Sequence, residues 1–401
     1  MSSGHDIGHG GSGGKVSDPS RPTELRTIGQ PVGREGLRTR NLSAARQCDE
    51  LCGKPRKAWQ GLWILLFAAG VAAAVAQAVM SGPTPVLRAL LVNFVFFTPL
   101  AAALVVWPAT VMLSRGGWMG SVKQDGLAGI VMAPLSLAAF AVLWLGRAHW
   151  AAWLHEPNLP NRAWLDEPFL FARDGLALVV WWAVALGFVR KARNGRPKVL
   201  AGWVAFLYAV VFSLLAFDVV MALDAHWFSS LFGGYFFVTG LYAAIALLAL
   251  RAAVRPGTDP DRLHDLGKLV VTFSIMTTYL MFSQLLPIWY ENFPDEVRFV
   301  LPRLTVWPWA RISAALLATV YLGPLILLLT VRAKKTPRVL GTVTLMVLAG
   351  LWVERWWLVM PTLDRAAHVG VADVSIGAAF VGALGWGLSR ESTKAEVEGN
   401  G

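Results

Sequence analysis

Ten long apolar runs follow one another along this 401-residue chain, and they constrain its fold more than any other feature. A helix needs roughly 20 apolar residues to cross the hydrocarbon core of a bilayer, and each run is near or above that length. The pattern predicts an all-α integral membrane protein with about ten transmembrane helices, because only helices and closed barrels satisfy the backbone in lipid. The runs lie at about 58–80, 86–113, 126–147, 170–190, 199–222, 228–250, 267–290, 308–331, 338–360 and 370–388.

The composition supports a polytopic membrane protein. The chain is 55% hydrophobic and only 15% charged, whereas about a quarter of the residues of a soluble domain are charged. Many of its 19 tryptophans lie near the ends of apolar runs, where an interfacial aromatic belt is expected. The net charge of +11 does not indicate a nucleic-acid partner, because the basic residues lie in short connections between the runs.

The distribution of basic residues predicts the orientation. With ten spans both termini share one side of the membrane, and 27 of the 36 Lys and Arg residues fall on that side, against 9 on the other. Because cytoplasmic loops carry an excess of Lys and Arg, we expect both termini to be cytoplasmic. The main charged and aromatic loops would then face the opposite, outer side.

The chain divides into three predicted parts. Residues 1–57 are rich in Gly, Ser and Arg and predict a flexible basic cytoplasmic tail, without the apolar segment of a secretory signal peptide. Residues 58–390 form the transmembrane domain, and residues 391–401 form a cytoplasmic C-terminal tail. Cys48 and Cys52 lie in the first part, at a spacing that matches neither CxxC nor CxxCH.

The histidine and cysteine positions argue against redox cofactors held by this chain. None of the seven histidines lies in the middle of an apolar run, whereas a bis-histidine b-type haem in a membrane needs axial ligands from facing helices. Two cysteines are too few for an iron–sulfur cluster with four thiolate ligands. We therefore expect no bound cofactor and no metal site in this chain.

The stretch from Tyr279 to Arg303 is the most unusual part of the sequence. Gln284 interrupts an apolar run, Pro287 follows, and the run ends at Trp289. A polar residue beneath interfacial aromatics and a charge cluster is typical of a functional end of a membrane protein. The alternative is a helix end with snorkelling side chains. The charged residues of this stretch are Glu291, Asp295, Glu296, Arg298 and Arg303.

Asp218 is the carboxylate that lies most clearly inside an apolar run, about one and a half turns before its outer boundary. Ionisable residues inside a membrane are expensive and are functional candidates by default. Asp218 is therefore a candidate proton carrier or hydrogen-bond acceptor. The alternative is a structural partner for an arginine on a neighbouring helix, such as Arg311 or Arg355.

Several further residues are candidates, each with a structural alternative. His149 could donate to a quinone carbonyl or shuttle protons near neutral pH, or simply anchor a helix end. Gln284 could bind a ligand or join two helices. Tyr279 continues a polar stripe that would suit a proton path or helix packing, and Glu354 and Arg355 suggest a neutralised pair. The aromatic stretch 147–174 could form an interfacial cap for a partner on the outer side.

Two passages resemble a known family. FDVVMALDAHWFSSLFGGYFFVTG (217–240) and DLGKLVVTFSIMTTYLMFSQLLPIWYENFPDEVRFVLPR (265–303) resemble signature stretches of the NrfD-like family, the membrane subunits of polysulfide-reductase type. Within that family the passages are most similar to the ActF subunits of bacterial alternative complex III. The resemblance covers roughly residues 58–390 and implies two four-helix bundles plus two flanking helices in a bacterial inner (cytoplasmic) membrane, with the outer loops in the periplasm.

The resemblance also implies a function. The chain would be a membrane subunit of a quinol:cytochrome c oxidoreductase complex, supporting quinol oxidation and proton translocation without a redox cofactor of its own. Its partners would be a paralogous NrfD-like subunit, an iron–sulfur subunit, c-type cytochrome subunits, quinol and lipid. The candidate site residues are Asp218, Glu291 and Tyr279 for a proton path, and His149, Asp218, Gln284 and Arg303 for quinone binding.

Two other functions compete with this hypothesis. A secondary transporter could place its substrate among Asp218, Gln284 and Arg311, and a structural anchor would have no chemistry of its own. Transporters usually pair interrupted helices near the middle of the membrane. Here the ionisable groups concentrate towards one face instead, which favours a partner-facing redox role.

Overall fold

A computed structural model of the protein describes residues 59–116, 122–156, 159, 161–291, 293–364 and 368–399. Within these ranges the chain forms helices joined by turns and contains no strand. The predicted tail of residues 1–57, with Cys48 and Cys52, lies outside the described residues. The last helix continues through Gly399, into the range predicted as a C-terminal tail.

Ten helices are long and apolar enough to span a membrane, which confirms the predicted number. Two shorter helices, α8 (Pro294–Thr305) and α10 (Val331–Lys335), connect some of them. The ten are α1 (Trp59–Ser81), α2 (Pro83–Leu113), α3 (Val122–Leu145), α4 (Glu167–Asn194), α5 (Lys198–Leu223), α6 (Phe232–Val254), α7 (Pro260–Glu291), α9 (Trp309–Leu327), α11 (Pro337–Leu363) and α12 (Val371–Gly399).

Helix α2 lies at the centre of the helix assembly. Its most apolar window is 94% buried, as expected for a helix that is hydrophobic on all sides. It contacts α3, α5, α6, α11 and α12. Asn93 of α2 joins it to two of these helices, α12 and α11, because its amide nitrogen donates to the carbonyl of Asp373 at 3.3 Å and its amide oxygen accepts from the Trp352 indole at 3.0 Å.

The remaining contacts form two sets. Helices α2, α3, α4 and α5 contact one another in sequence, and so do α6, α7, α9 and α11. Helix α12 packs on α2 and α3. Helix α1 packs on α12 through glycines: a Cβ at Gly70 would lie 2.5 Å from the Ser375 carbonyl, and one at Gly382 would lie 2.6 Å from the Phe67 nitrogen. Small residues allow such close approach of membrane helices.

Two of the membrane helices contain π-helical segments. One covers Ala216–Val220 in α5 and the other covers Leu317–Leu322 in α9. Pro324 lacks an N–H for the Val320 carbonyl, and the Tyr242 hydroxyl donates to that carbonyl at 3.1 Å. Such segments are frequent at functional sites, and both occur here beside buried charges.

We call the end of the assembly at which α1 ends and α2 begins the outer end, following the predicted orientation. The connections there include the stretch from Gly146 to Asp166, which contains 3₁₀ turns at Arg147–His149 and Ala152–His155. Helix α4 begins at Glu167, so the stretch 147–174 is part connection and part helix. The π-helical segment of α5 lies near this end, because α5 ends at Leu223.

Candidate functional site

Asp218 lies in the π-helical segment of α5, in contact with two charged residues of α4. Arg173 Nη2 donates to Asp218 Oδ2 at 2.7 Å, and Arg173 Nε lies 3.6 Å from Asp174 Oδ1. Both carboxylate residues are almost completely buried, whereas the Arg173 side chain remains 16% exposed. We call Arg173, Asp174 and Asp218 the outer cluster.

The start of α4 determines where its two charged residues lie. Asp166 caps the helix, since its side chain accepts from the Phe169 N–H at 3.3 Å, and a proline occupies the first turn. Arg173 and Asp174 therefore lie about two turns below the cap. At this depth α4 lies beside the end of α5, and Asp218 is within hydrogen-bonding distance of Arg173.

Trp164 covers the outer cluster from the preceding connection. Its indole Nε1 donates to Asp218 Oδ1 at 2.7 Å, and its ring lies 4.0 Å from the centre of the Arg173 guanidinium. The Phe169 ring lies 4.8 Å from the same guanidinium. Trp164 itself is 46% exposed, so a single aromatic layer separates the cluster from the surface.

The outer cluster contains more negative than positive charge. Two carboxylates and one guanidinium sum to a net charge of −1 when all three groups are ionised. In addition, both carboxylate oxygens of Asp174 and two nitrogens of Arg173 are buried without a hydrogen-bond partner among the described residues. Excess charge and orphaned polar atoms are costly in an apolar interior, so a bound proton or a polar ligand would stabilise the cluster.

A second buried group of charges lies beside the π-helical segment of α9. Glu354 and Arg355 follow one another on α11, and their nearest charged atoms are 3.9 Å apart. The Tyr321 hydroxyl lies 3.4 Å from Glu354 Oε1 and 2.7 Å from the Tyr235 hydroxyl. Arg355 donates to the Thr239 hydroxyl and to the Phe236 carbonyl. We call Glu354, Arg355 and Tyr321 the inner cluster.

The arginine partner of Asp218 is not one of the two named from the sequence. The structural alternative for Asp218 named an arginine on a neighbouring helix, such as Arg311 or Arg355, and the structure pairs Asp218 with Arg173 of the neighbouring helix α4. Arg355 belongs to the inner cluster, and Arg311 is exposed, with its guanidinium 5.6 Å from the Trp307 ring. The partner is therefore an arginine of a neighbouring helix but neither of the two named examples, because hydropathy does not reveal which helices become neighbours.

His149 and Gln284 lie in other surroundings than Asp218. His149 Nδ1 lies 2.9 Å from the Thr84 hydroxyl, at the junction of α2 with the outer connection. Gln284 Oε1 accepts from the Ser229 hydroxyl at 3.4 Å. Among the described residues no hydrogen bond or ion pair joins any two of the six predicted site residues.

Tyr279 and Glu291 are exposed. The Tyr279 side chain is 66% exposed on α7, and Glu291 lies at the exposed end of that helix. The side chains of the neighbouring polar stripe hydrogen-bond within their own helix, since Thr277 donates to the Phe273 carbonyl and Thr278 donates to the Ser274 carbonyl. These hydrogen bonds within the helix therefore do not connect Tyr279 or Glu291 to Asp218.

Arg303 is buried and is held by α11. Pro361 cannot donate to the Trp357 carbonyl one turn earlier, and Arg303 Nε donates to that carbonyl at 3.2 Å. Another guanidinium nitrogen donates to the Leu358 carbonyl at 2.8 Å. Burial lowers the pKa of Arg303 to about 9, although Asp224 opposes the shift, so the guanidinium is still protonated at neutral pH. These contacts give it the role of a helix anchor.

Sequence reasoning missed two members of the site. Arg173 and Trp164 were included in a stretch expected to form a cap, and no role was predicted for either. The adjacent pair Arg173 and Asp174 at the start of an apolar run was the available signal, because a second carboxylate at that depth needs a partner. Within the described residues no group of three His, Cys, Asp or Glu side chains has the arrangement of a metal site.

No protein-family model matches the chain, and none of the curated proteins matches it.

Proposed function

We propose that this protein is a membrane subunit of a quinol-oxidising electron-transfer complex, and that its outer cluster accepts a proton released from quinol. The observation that carries the proposal is the pair of buried carboxylates, Asp174 and Asp218, sharing the single guanidinium of Arg173 near the outer end. The motif resemblance to NrfD-like subunits of alternative complex III supports the same function.

The chemistry of quinol oxidation fits this cluster. Oxidation of one quinol to quinone releases two protons and two electrons. The electrons would pass to iron–sulfur clusters and c-type haems of partner subunits, which the resemblance implies. One proton would bind a carboxylate of the outer cluster and bring its net charge from −1 to zero, and the second proton would be released to water at the outer end. Arg173 would hold the remaining carboxylate in its ionised form.

The arrangement of helices is consistent with the proposal. The two sets of four contacting helices are what two four-helix bundles would give, with α1 and α12 as the flanking helices. We propose that both termini are cytoplasmic and that the outer end faces the periplasm of a bacterial inner membrane. The exposed aromatic side chains of α7, among them Tyr279 and Phe282, provide a surface for a paralogous membrane subunit.

Carboxylate-to-amide changes in the purified complex test the role of the outer cluster. Asp218→Asn should lower quinol-dependent reduction of the acceptor at least about tenfold, since a positioned proton-transfer group contributes roughly 10²- to 10⁴-fold. Glu354→Gln is the matched control, because it makes the same chemical change in the inner cluster. Subunit composition, measured on the same preparations, shows whether each complex remains assembled.

The result that would overturn the proposal is wild-type turnover in Asp218→Asn. An equal loss in Glu354→Gln would remove the special role of the outer cluster, because both buried carboxylates would then matter alike. A protein that only anchors its partners would tolerate both changes.

A secondary transporter is a second candidate, and one observation favours it. Departures from α-helical geometry occur in both sets of helices, at the π-helical segments Ala216–Val220 and Leu317–Leu322, and irregular helices in both halves are typical of transporters. Purification in mild detergent separates the two candidates. Co-purifying c-type haem and iron–sulfur subunits are expected for the redox complex, whereas a colourless chain running alone would favour the transporter.

A further inference from the structure

A polar cavity lies at the outer end between α1, α2, α11 and α12. Its volume is about 450 Å³, which is within the range of small-molecule sites. It is separate from the outer cluster, since no residue of that cluster lines it. Its side chains include both acidic and basic groups: Gln77, Ser81, Thr84, Arg88, Asp364, His368 and Asp373.

Asp373 is the most buried charged residue of this cavity, with only 6% of its surface exposed. One carboxylate oxygen, Oδ2, accepts from the Gly370 N–H at 2.9 Å and so closes the first turn of α12. The other oxygen, Oδ1, is buried and has no hydrogen-bond partner in the part of the chain that the structure describes. A buried carboxylate oxygen without a partner requires an explanation, and a cationic N–H donor in the cavity would provide one.

Arg88 contributes the opposite charge from α2. Its Nε is directed at the His149 carbonyl, 3.5 Å away, and its side chain is half-buried at the cavity wall. A guanidinium binds phosphate oxygens through two parallel N–H donors. The cavity thus combines a site for a phosphate with a site for an ammonium group.

An apolar groove continues from the cavity between α1 and α12. Gly370 and Val371 line both spaces, and the groove has a volume of about 460 Å³. Residues 66, 70, 73, 77 and 81 of α1 follow at helical spacing on one face, so a single face of α1 borders the groove and then the cavity. The groove is lined chiefly by small and aliphatic side chains: Leu66, Ala69, Ala73, Val374 and Ala378.

We infer that the cavity and the groove together bind one phospholipid whose headgroup carries a primary ammonium and no carboxylate, namely phosphatidylethanolamine. Its phosphate would contact Arg88, its ammonium would donate to Asp373, and one acyl chain would lie along α1 in the groove. The charges favour this lipid over three others. Phosphatidylcholine has no N–H to donate, phosphatidylglycerol has no cation, and a quinol headgroup has no charge for either partner.

Lipid competition on the purified full-length protein tests the inference. The protein, alone or in its complex, is exchanged into detergent with equal amounts of phosphatidylethanolamine, phosphatidylcholine and phosphatidylglycerol of identical chains, and the retained lipid is measured by mass spectrometry. We expect about tenfold preference for phosphatidylethanolamine, as the loss of one hydrogen bond to a charged group would give. Asp373→Asn should abolish this preference, while its amide oxygen still accepts from Gly370.

A separate variant, with a matched control, tests whether the apolar groove holds an acyl chain. Ala73→Leu should lower the retention of all three lipids, because the added carbons fill the groove. Ala72→Leu makes the same change at an exposed neighbouring position outside the groove and should leave retention unchanged. Equal retention of the three lipids by the wild type, or an undiminished preference in Asp373→Asn, would overturn the inference. Retention of a quinone in place of phospholipid would also overturn it.

Discussion

The outer and inner clusters have the same ingredients but differ in charge and access. Each has a buried carboxylate, an arginine and an adjacent π-helical segment. The outer cluster has a second carboxylate, and its Arg173 is 16% exposed. In the inner cluster one carboxylate faces one arginine, and the arginine side chain is only 3% exposed.

The hydrogen bonds of the two arginines differ as well. Arg355 is bound to the Thr239 hydroxyl and the Phe236 carbonyl, so α6 holds it independently of Glu354. Arg173 makes its hydrogen bond to Asp218 alone and rests on the Trp164 ring. Burial by itself therefore does not distinguish a functional charge from a structural one. The role proposed for the outer cluster rests instead on its excess of one charge and on its thin cover.

The largest effect is expected from Arg355→Leu. The change leaves Glu354 buried without its cation, and breaking a buried ion pair on one side costs about 3–5 kcal/mol. The free energy of unfolding in detergent micelles measures this loss. Replacing Glu354 as well, in Glu354→Gln/Arg355→Leu, should recover part of it, because the uncompensated charge is then gone. No loss in the single variant would show that the inner cluster is not structural.

Arg173→Gln should have a smaller effect on stability, of about 2–3 kcal/mol, because one hydrogen bond to a charged group is lost and the site is partly exposed. It leaves Asp174 and Asp218 facing each other. A second change, Asp174→Asn, should therefore raise the stability of Arg173→Gln. If the second change lowers stability further, the two carboxylates do not repel, and the charge imbalance proposed for the outer cluster is absent.

The sequence predicted the membrane helices well and the clusters poorly. Ten apolar runs indicate ten helices because a spanning backbone must satisfy its own hydrogen bonds. Asp218 was predicted from its depth in an apolar run. Its partner Arg173 was not predicted. Helix α4 begins at Glu167, earlier than the run at 170–190 suggests, and Arg173 therefore lies two turns inside a helix instead of at its start.

The π-helical segments could not be predicted from hydropathy. An inserted residue leaves the apolar character of a helix unchanged, so the run containing Asp218 looks regular. The role of Arg303 could not be predicted from the sequence either. Its role depends on the carbonyl that Pro361 leaves free on α11, 58 residues later in the chain, and a single sequence gives no sign of that contact.

Trp164→Phe tests the thin cover of the outer cluster. The change retains an aromatic ring beside Arg173 but removes the indole N–H that donates to Asp218. Loss of a hydrogen bond at this half-exposed position should cost about 1 kcal/mol, and a similar loss in the transition state would lower turnover about fivefold. Quinol-dependent turnover of the complex is the measurement. An unchanged rate would show that the cover has no part in the reaction.

The smallest effect is expected from Tyr321→Phe, and it tests the comparison most directly. The change removes only the hydroxyl that lies between Tyr235 and Glu354, so the free energy of unfolding should fall by about 1 kcal/mol. Quinol-dependent turnover should stay at the wild-type rate, since a structural cluster transfers no proton. A loss of turnover as large as in Asp218→Asn would mean that this hydroxyl carries protons to Glu354. The two clusters would then be two stations of one proton path, and their difference in charge would reflect their depth in the membrane.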